Sequence, residues 1–343
     1  MNTGNCKPLS ILIIATPDFN LATTTAFIDP FRAANYLEGR MLFRWQIVSQ
    51  TGENLTASNG ISVETTAISQ TTLPADIVIV SSSWAPELHS SNTLRAFLIR
   101  AARSGCDIGG LDTGAFILAD AGLLSGRRAT VHYEHIDALI ELHPDVEVTE
   151  DLFVIDNRRL SCCGGTASAD LALQILRDRL GETVANSAAR YVFHQSMRSE
   201  GMPQLPTLVE PLGHAVPDAV RNAIRLMEAH LEDPIPIPEI GGRTGISQRQ
   251  LNRLFARHLG KSTALYYRDI RLDRARGLVT QTEMPLTEVA IASGFRSQVT
   301  FSRAYRDRFG LPPSRDRTEG RVPFEFRAWP MHRYTSDVMS KSD

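Results

Sequence analysis

The residues able to do chemistry gather in a few places. Gly109-Gly-Leu-Asp112-Thr113-Gly114-Ala115 falls between a strand-like run and a helix-like run. A tight turn there projects one side chain into a pocket at the carboxyl edge of a sheet, the geometry of an elbow. The projected side chain is Asp112, with Thr113 beside it. A carboxylate in that position suits charge pairing with a cationic ligand. Phe19 follows the first strand-like run and Trp84 follows the run Ile77–Val80. Together with Tyr133 they offer aromatic faces for cation–π contact with an ammonium group. In His132-Tyr133-Glu134-His135, His132 and Glu134 are candidates for hydrogen bonding around the pocket. The spacing does not match a helical histidine pair at i and i+4, so neither a metal nor any other cofactor is expected. Asp170, in a helix first turn, suits the helix dipole.

A second set of reactive groups is basic. Ser247-Gln-Arg-Gln-Leu-Asn-Arg-Leu-Phe-Ala-Arg-His258 and Ser297-Gln-Val-Thr-Phe-Ser-Arg-Ala-Tyr-Arg-Asp-Arg-Phe309 each follow a short helical run and a glycine turn, Thr244-Gly245-Ile246 and Ser293-Gly294-Phe295. Each is therefore expected to be the serine-capped second helix of a helix-turn-helix unit. Leu251, Leu254 and Phe255 recur at helical spacing and should face a core, as should Phe301, Ala304, Tyr305 and Phe309. That leaves Arg249, Asn252 and Arg253 outward on one helix and Gln298, Thr300 and Arg303 on the other. Arginine reads guanine bidentately and Asn or Gln reads adenine, and a helix of this kind fits the major groove. The expected partner is double-stranded DNA.

The elements that must position these groups alternate in the first half. Leu9–Ala15, Trp45–Ser49, Ile77–Val80 and Cys106–Leu111 read as strands, Leu94–Ala102, Ala115–Ala121 and Ala167–Leu180 as helices. Leu152–Ile155 with Arg159–Cys163 reads as a hairpin. This alternation predicts an α/β, doubly wound parallel sheet with its ligand site at the carboxyl ends of the strands. Prolines and glycines interrupt every period from Ser199 to Pro217, which reads as a linker, and beyond Asp218 the chain is all-helical. Ala264–Thr280 should join the two helix-turn-helix units rigidly. The expected division is a sensor and dimerisation domain over 1–198, a linker over 199–217, a DNA-binding domain over 218–318 and a partly disordered tail over 319–343.

Charge follows the same division. The net charge is only −2, yet residues 218–318 hold 17 Lys+Arg against 11 Asp+Glu while the remainder holds 19 against 27. The four cysteines, Cys6, Cys106, Cys162 and Cys163, have no paired spacing, so no disulfide or zinc framework emerges. No secretory leader and no 18-residue apolar run is present, so a cytoplasmic protein is expected, neither secreted nor membrane-embedded.

Two resemblances extend these readings. Gly294-Phe295-Arg-Ser-Gln-Val-Thr-Phe301 through Phe309-Gly310-Leu-Pro-Pro313-Ser314, with the first capped helix, resembles the AraC/XylS-type DNA-binding domain over about 100 residues. One departure is Asp316, where that family usually has tyrosine. The run from Ala119 to His132 and Cys163-Gly-Gly-Thr-Ala-Ser-Ala-Asp170 resemble the flavodoxin-like DJ-1/PfpI domain, across nearly all of Leu9–Arg198. The combination is similar to GlxA-type regulators. Enzymes of that superfamily carry a cysteine at the elbow, whereas Asp112 stands here and Cys106 lies at the wrong end of its strand, so catalysis is not expected. The Asp-Thr-Gly elbow with Val131-His-Tyr-Glu-His135 looks like the subgroup controlling choline and glycine betaine catabolism. The resemblance implies an activator sensing a quaternary-ammonium metabolite such as glycine betaine or dimethylglycine, a homodimer, and RNA polymerase as a partner. The rival readings are a PfpI-like hydrolase or amidase fused to a DNA-binding module, and a constitutive DNA-binding protein whose α/β half only dimerises.

Overall fold

The computed structural model describes residues 7–71, 75–204 and 216–319, in two compact units, Met1–Gln204 and Leu205–Asp343. The first unit contains strands β1 Leu9–Ala15, β2 Phe43–Ser49, β3 Leu55–Thr56, β4 Ser62–Val63, β5 Thr66–Ala67, β6 Ile77–Ser82, β7 Asp107–Asp112, β8 Arg128–Ala129, β9 Glu147–Val148, β10 Phe153–Asp156 and β11 Arg159–Cys162. Its helices are α1 Leu21–Leu37, α2 Asn92–Arg103, α3 Gly114–Asp120, α4 Ile136–Leu142, α5 Ala167–Leu180 and α6 Glu182–Tyr191. The main sheet runs β10-β11-β7-β6-β1-β2-β5. Its pairs are parallel except for the β10–β11 hairpin at one edge.

The central strands are apolar on both faces because both faces are covered. Ile11, Ile13, Ile77 and Ile79 pack beneath α1, α5 and α6, in a core with Phe27, Phe31, Leu173 and Leu176. Leu12, Ile14, Val78 and Val80 face the opposite layer, with Leu94, Leu98, Ile117 and Leu139 from α2, α3 and α4. Every carboxyl terminus of the parallel strands thus opens on one edge, where the elbow lies. This is the expected doubly wound α/β fold. The α1 helix was not foreseen: it holds Pro30 and starts Leu-Ala-Thr-Thr-Thr, and it is set by the Asn20 side chain, which caps the Thr23 amide.

The first unit extends further than expected. The Gln204 side chain donates to Thr130 Oγ1 and to the Val131 carbonyl, both at 2.8 Å, and its backbone donates to the Glu150 carbonyl at 2.8 Å. Residues 199–204 therefore belong to the first unit, and the expected linker shortens at its start. The rest of that linker, 205–215, lies outside the described residues, as does most of the expected tail, 320–343.

The second unit is helical throughout its described residues: α7 Asp218–Glu228, α8 Ile237–Arg243, α9 Gln248–Leu259, α10 Thr263–Gln281, α11 Leu286–Ala292, α12 Gln298–Phe309 and α13 Pro313–Glu319. The turn between α8 and α9 is repeated between α11 and α12. Ile246 donates to the Gly241 carbonyl and Phe295 to the Ala290 carbonyl, across Gly245 and Gly294 at φ +75° and +73°. That backbone region favours glycine. Ser247 and Ser297 cap the second helices as their types predict, Ser247 in a full capping box with Gln250. The long α10 packs against both helix-turn-helix pairs of this unit: Tyr267 enters the core of the α8–α9 pair with Leu251 and Phe255. Leu272, Leu278 and Val279 enter the core of the α11–α12 pair with Phe301 and Tyr305.

Candidate sensor pocket and nucleic-acid interface

The elbow is built by close approach. A Cβ on Gly110 would lie 2.6 Å from the Ala115 nitrogen, and one on Gly114 would overlap the Val80 carbonyl. Only glycines let β7 turn into α3 so near β6. Thr113, fully buried, donates its hydroxyl to the Ser83 carbonyl and ties the turn to the end of β6. Asp112 is left in the left-handed region at φ +59°, a strained conformation for a residue with a Cβ and one that Asp tolerates better than most.

The Asp112 carboxyl is buried, at 5% exposure. Burial pushes its pKa up from 3.8 to about 6, against the opposing pull of the His132 charge and of the Asn20 amide, which donates to Oδ2 at 3.0 Å. Asn20 and Thr23 were not anticipated from sequence. Asn20 Oδ1 accepts from the Thr23 amide, and Thr23 Oγ1 accepts from the Gly165 amide at 2.7 Å. Gly164 completes the wall, since a Cβ there would sit 3.2 Å from Asp112 Oδ2. A glycine following β11 is the one sequence sign of this closeness. Above about pH 7 the site is predominantly a buried anion with a polar, fixed surround.

The aromatic trio does not survive intact. Phe19 is fully buried with Ala15 and Ala57, so its ring is packing, and its expected contact with a ligand is corrected on that ground. Trp84 is half-buried and Tyr133 is 47% exposed, its ring tilted on His132 at 4.5 Å between centroids. His132 caps a 3-10 turn, Tyr133–His135, through a long 3.4 Å bond from the Glu134 amide to Nδ1. Contrary to the spacing argument, His132, Glu134 and His135 each bring a ligand-capable atom within 4.8 Å of the others. The His135 amide donates to the His132 carbonyl at 2.8 Å, a tight i to i+3 closure; the α-helical rule of i and i+4 does not apply.

Cys163 is buried beside its neighbour Cys162, and that hydrogen-bonded contact, with burial, pushes its thiol far above the usual range. A thiol held neutral is a poor nucleophile. Asp170 does more than complement a helix dipole. Fully enclosed, it accepts from the Arg198 amide and from His194 Nε2, both at 2.7 Å, and so fastens the segment after α6 to the start of α5.

In the second unit Arg249, Arg253, Gln298, Thr300 and Arg303 are all exposed. Asn252 is half-buried and its Oδ1 accepts from the Thr263 amide at the start of α10. That bond ties α9 to α10 and leaves the Asn252 amide N–H groups, as far as this bond is concerned, for other partners. A hollow beside α12 is lined by Arg268, Arg271, Arg296, Thr300 and Arg303. Arg268 and Arg296 are exposed cations that the helix-face reading did not include. Arg271 is different: it donates to the Gly294 carbonyl at 2.9 Å and lies 4.6 Å over the Phe295 ring, pinning the second turn. Asp316, the departure noted above, is completely buried and accepts from the Tyr305 hydroxyl at 2.8 Å and Arg276 Nε at 2.9 Å. It closes the end of the core that its sequence position put in question.

Two such units sharing one spacer helix, each with a basic second helix, define a DNA-binding regulator of transcription. The comparisons agree. A helix-turn-helix domain model matches residues 240–319 and the DJ-1/PfpI family model matches residues 10–178. The HTH-type transcriptional regulator CdhR of Pseudomonas aeruginosa is 36% identical over 301 residues, 88% of this chain and 89% of that protein. The HTH-type transcriptional regulator GbdR of the same species is 36% identical over 316 residues, 92% and 86% of the two chains. A THiJ/PfpI family protein from Pseudomonas syringae shares the fold, with TM-score 0.51 at 21% identity over 65% of this chain and 87% of that one. The chain belongs to the HTH-type transcriptional regulators that join a DJ-1/PfpI domain to an AraC-type helix-turn-helix domain. Among the described residues no helix is long and apolar enough to cross a membrane.

Proposed function

We propose that the protein is a ligand-responsive activator of a catabolic operon, and that its first unit senses a small cationic metabolite of the glycine betaine or dimethylglycine class. The observation that carries the reading is the buried Asp112 carboxylate at the elbow, held by Asn20 and walled by Gly164. An anion kept at 5% exposure is costly unless something compensates it, and a bound ammonium supplies the missing charge. Trp84 and Tyr133 are the aromatic faces available for cation–π contact. Sensing replaces catalysis at this elbow because a carboxylate stands where thiolate chemistry needs sulfur.

The second unit reads DNA with Arg249 and Arg253 from α9 and with Gln298, Thr300 and Arg303 from α12, in major-groove segments about one helical turn apart. Occupancy of the pocket reaches the linker through a short path. The strand leading to His132 offers the Val131 carbonyl to Gln204, the last residue of the first unit. Movement of the 130–135 segment on ligand binding alters that anchor and shifts the population competent for DNA or RNA polymerase. The protein acts as a homodimer through its first unit.

The test is calorimetry on the full chain with glycine betaine, dimethylglycine, carnitine and arginine, repeated with Asp112→Ala. Saturable binding of one or more amines, lost in the variant, is the expected result. A flat response to every amine would leave only a constitutive DNA-binding protein.

A further inference from the structure

We infer that His132, Glu134 and His135 form a binding site for a divalent first-row transition metal at the 3-10 turn between β8 and α4. The inference stands on the turn itself and not on the effector reading. His132 caps the 3-10 turn Tyr133–His135, and the His135 amide closes it by donating to the His132 carbonyl at 2.8 Å. Their ring centroids lie 6.1 Å apart at an interplanar angle of 68°. Glu134 Oε2 approaches His132 Nδ1 to 3.9 Å, and one ligand atom from each of the three residues lies within 4.8 Å of the other two. Around an ion with bonds of about 2.1 Å, tetrahedral ligand atoms stand about 3.4 Å apart. Closing the triangle needs a rotation of the exposed Glu134 side chain, adjustments of the rings, and accommodation of the interaction His135 already makes.

Several features prepare the site. Tyr133 lies against His132, and Phe116 meets the His135 ring edge-on at 6.1 Å between centroids, so neither imidazole swings freely. Among the described residues the backbone bond to His132 Nδ1 is the long one of 3.4 Å from the Glu134 amide, which a metal ion displaces at little cost. Two imidazole nitrogens and one carboxylate oxygen suit Zn²⁺, Ni²⁺, Co²⁺ or Cu²⁺. Calcium and magnesium prefer sets made only of oxygen. Three protein ligands leave at least one coordination position open, so the ion can also take an oxygen or nitrogen ligand from solution. A metal here would stiffen the turn one residue away from Val131, whose carbonyl holds Gln204.

The experiment uses untagged full-length protein stripped with a chelator, and titrates zinc by calorimetry and cobalt by visible absorption, with no amine present. One zinc per chain is expected, with a cobalt spectrum lacking the thiolate charge-transfer band. H132Q combined with H135Q should lower zinc affinity at least 100-fold and E134Q about 10-fold, with unchanged circular dichroism in the metal-free state. H143Q, which alters a histidine paired with Asp120 at 3.4 Å, should leave the affinity intact. Absence of saturable binding near one equivalent, or binding that persists in the double variant, overturns the inference. Because amines are absent, a failed search for an effector leaves this result unaffected, and a failed zinc titration leaves the effector reading standing.

Discussion

The substitution Asp112→Asn separates the role of the elbow carboxylate from that of its shape. Asparagine is nearly isosteric, tolerates the left-handed φ of +59° as Asp does, and still offers an oxygen to the Asn20 amide. What it removes is a charge that burial disfavours. The carboxyl titrates at about 6 in the folded protein against 3.8 for the free group, and at 1.36 kcal/mol per tenfold this interval is worth about 3 kcal/mol. The folded state binds the extra proton between those values, so wild-type stability contributed by this group is full below pH 3.8 and falls as pH rises through 6. The variant has no such loss. Its stability relative to wild type should therefore grow by about 2 kcal/mol between about pH 4.5 and 7.5, with ligand response abolished throughout. Urea unfolding followed by tryptophan fluorescence, with chelator present, reports it, since Trp45 and Trp84 both lie in the first unit. A stability difference that stays flat with pH, or that favours wild type increasingly at high pH, would refute the account of Asp112 as a buried charge awaiting a cation.

Other predictions concern the second unit. Gly294→Ala places a Cβ into the Leu231 carbonyl and the Pro234 ring, while Gly245→Ala, at a matching φ, meets nothing within 4 Å. The second should cost about 1–2 kcal/mol from backbone strain alone and the first clearly more; equal melting temperatures for the two variants would contradict this. Asp316→Ala leaves the buried Tyr305 hydroxyl without its acceptor, and should destabilise the unit by about 1–3 kcal/mol in urea unfolding. Asp316→Asn should recover part of the loss by keeping an oxygen for Tyr305. Arg253→Ala and Arg303→Ala should each weaken specific DNA binding by about 1–3 kcal/mol. Equal weakening on random DNA would mark both as phosphate contacts.

The parts of the molecule that could be read from sequence are those fixed by local pattern. Ile11–Ala15 and Ile77–Val80 are apolar throughout because helices cover both sheet faces, and serine caps with turn glycines announce α9 and α12 one after the other. What escaped reading depends on residues meeting from far apart. Asn20 reaches Asp112 across 92 positions and Thr23 reaches Gly165 across 142, distances over which no spacing rule operates. Asn252 looked outward on a helical wheel, but its side chain had a nearer partner in the first amide of α10. Phe19 was correctly placed after β1 and wrongly aimed, since a period says where a ring sits along the chain and not which side of a loop closes over it.

The His132–His135 turn shows how such a miss can matter for function. An expectation framed for α-helices removes a pair at i and i+3 from consideration, although the 3-10 turn between β8 and α4 is the element that brings the two rings together. The same short segment is joined through Val131 to Gln204, at the point where the chain leaves the first unit. A ligand at Asp112 and an ion at this turn would therefore act on one mechanical element, and their effects should be coupled: whichever stabilises the same arrangement of residues 130–135 must raise the affinity of the other by an equal factor. Measuring amine affinity with and without zinc tests that coupling. A coupling factor of one would show that at least one of the ligands does not act through residues 130–135.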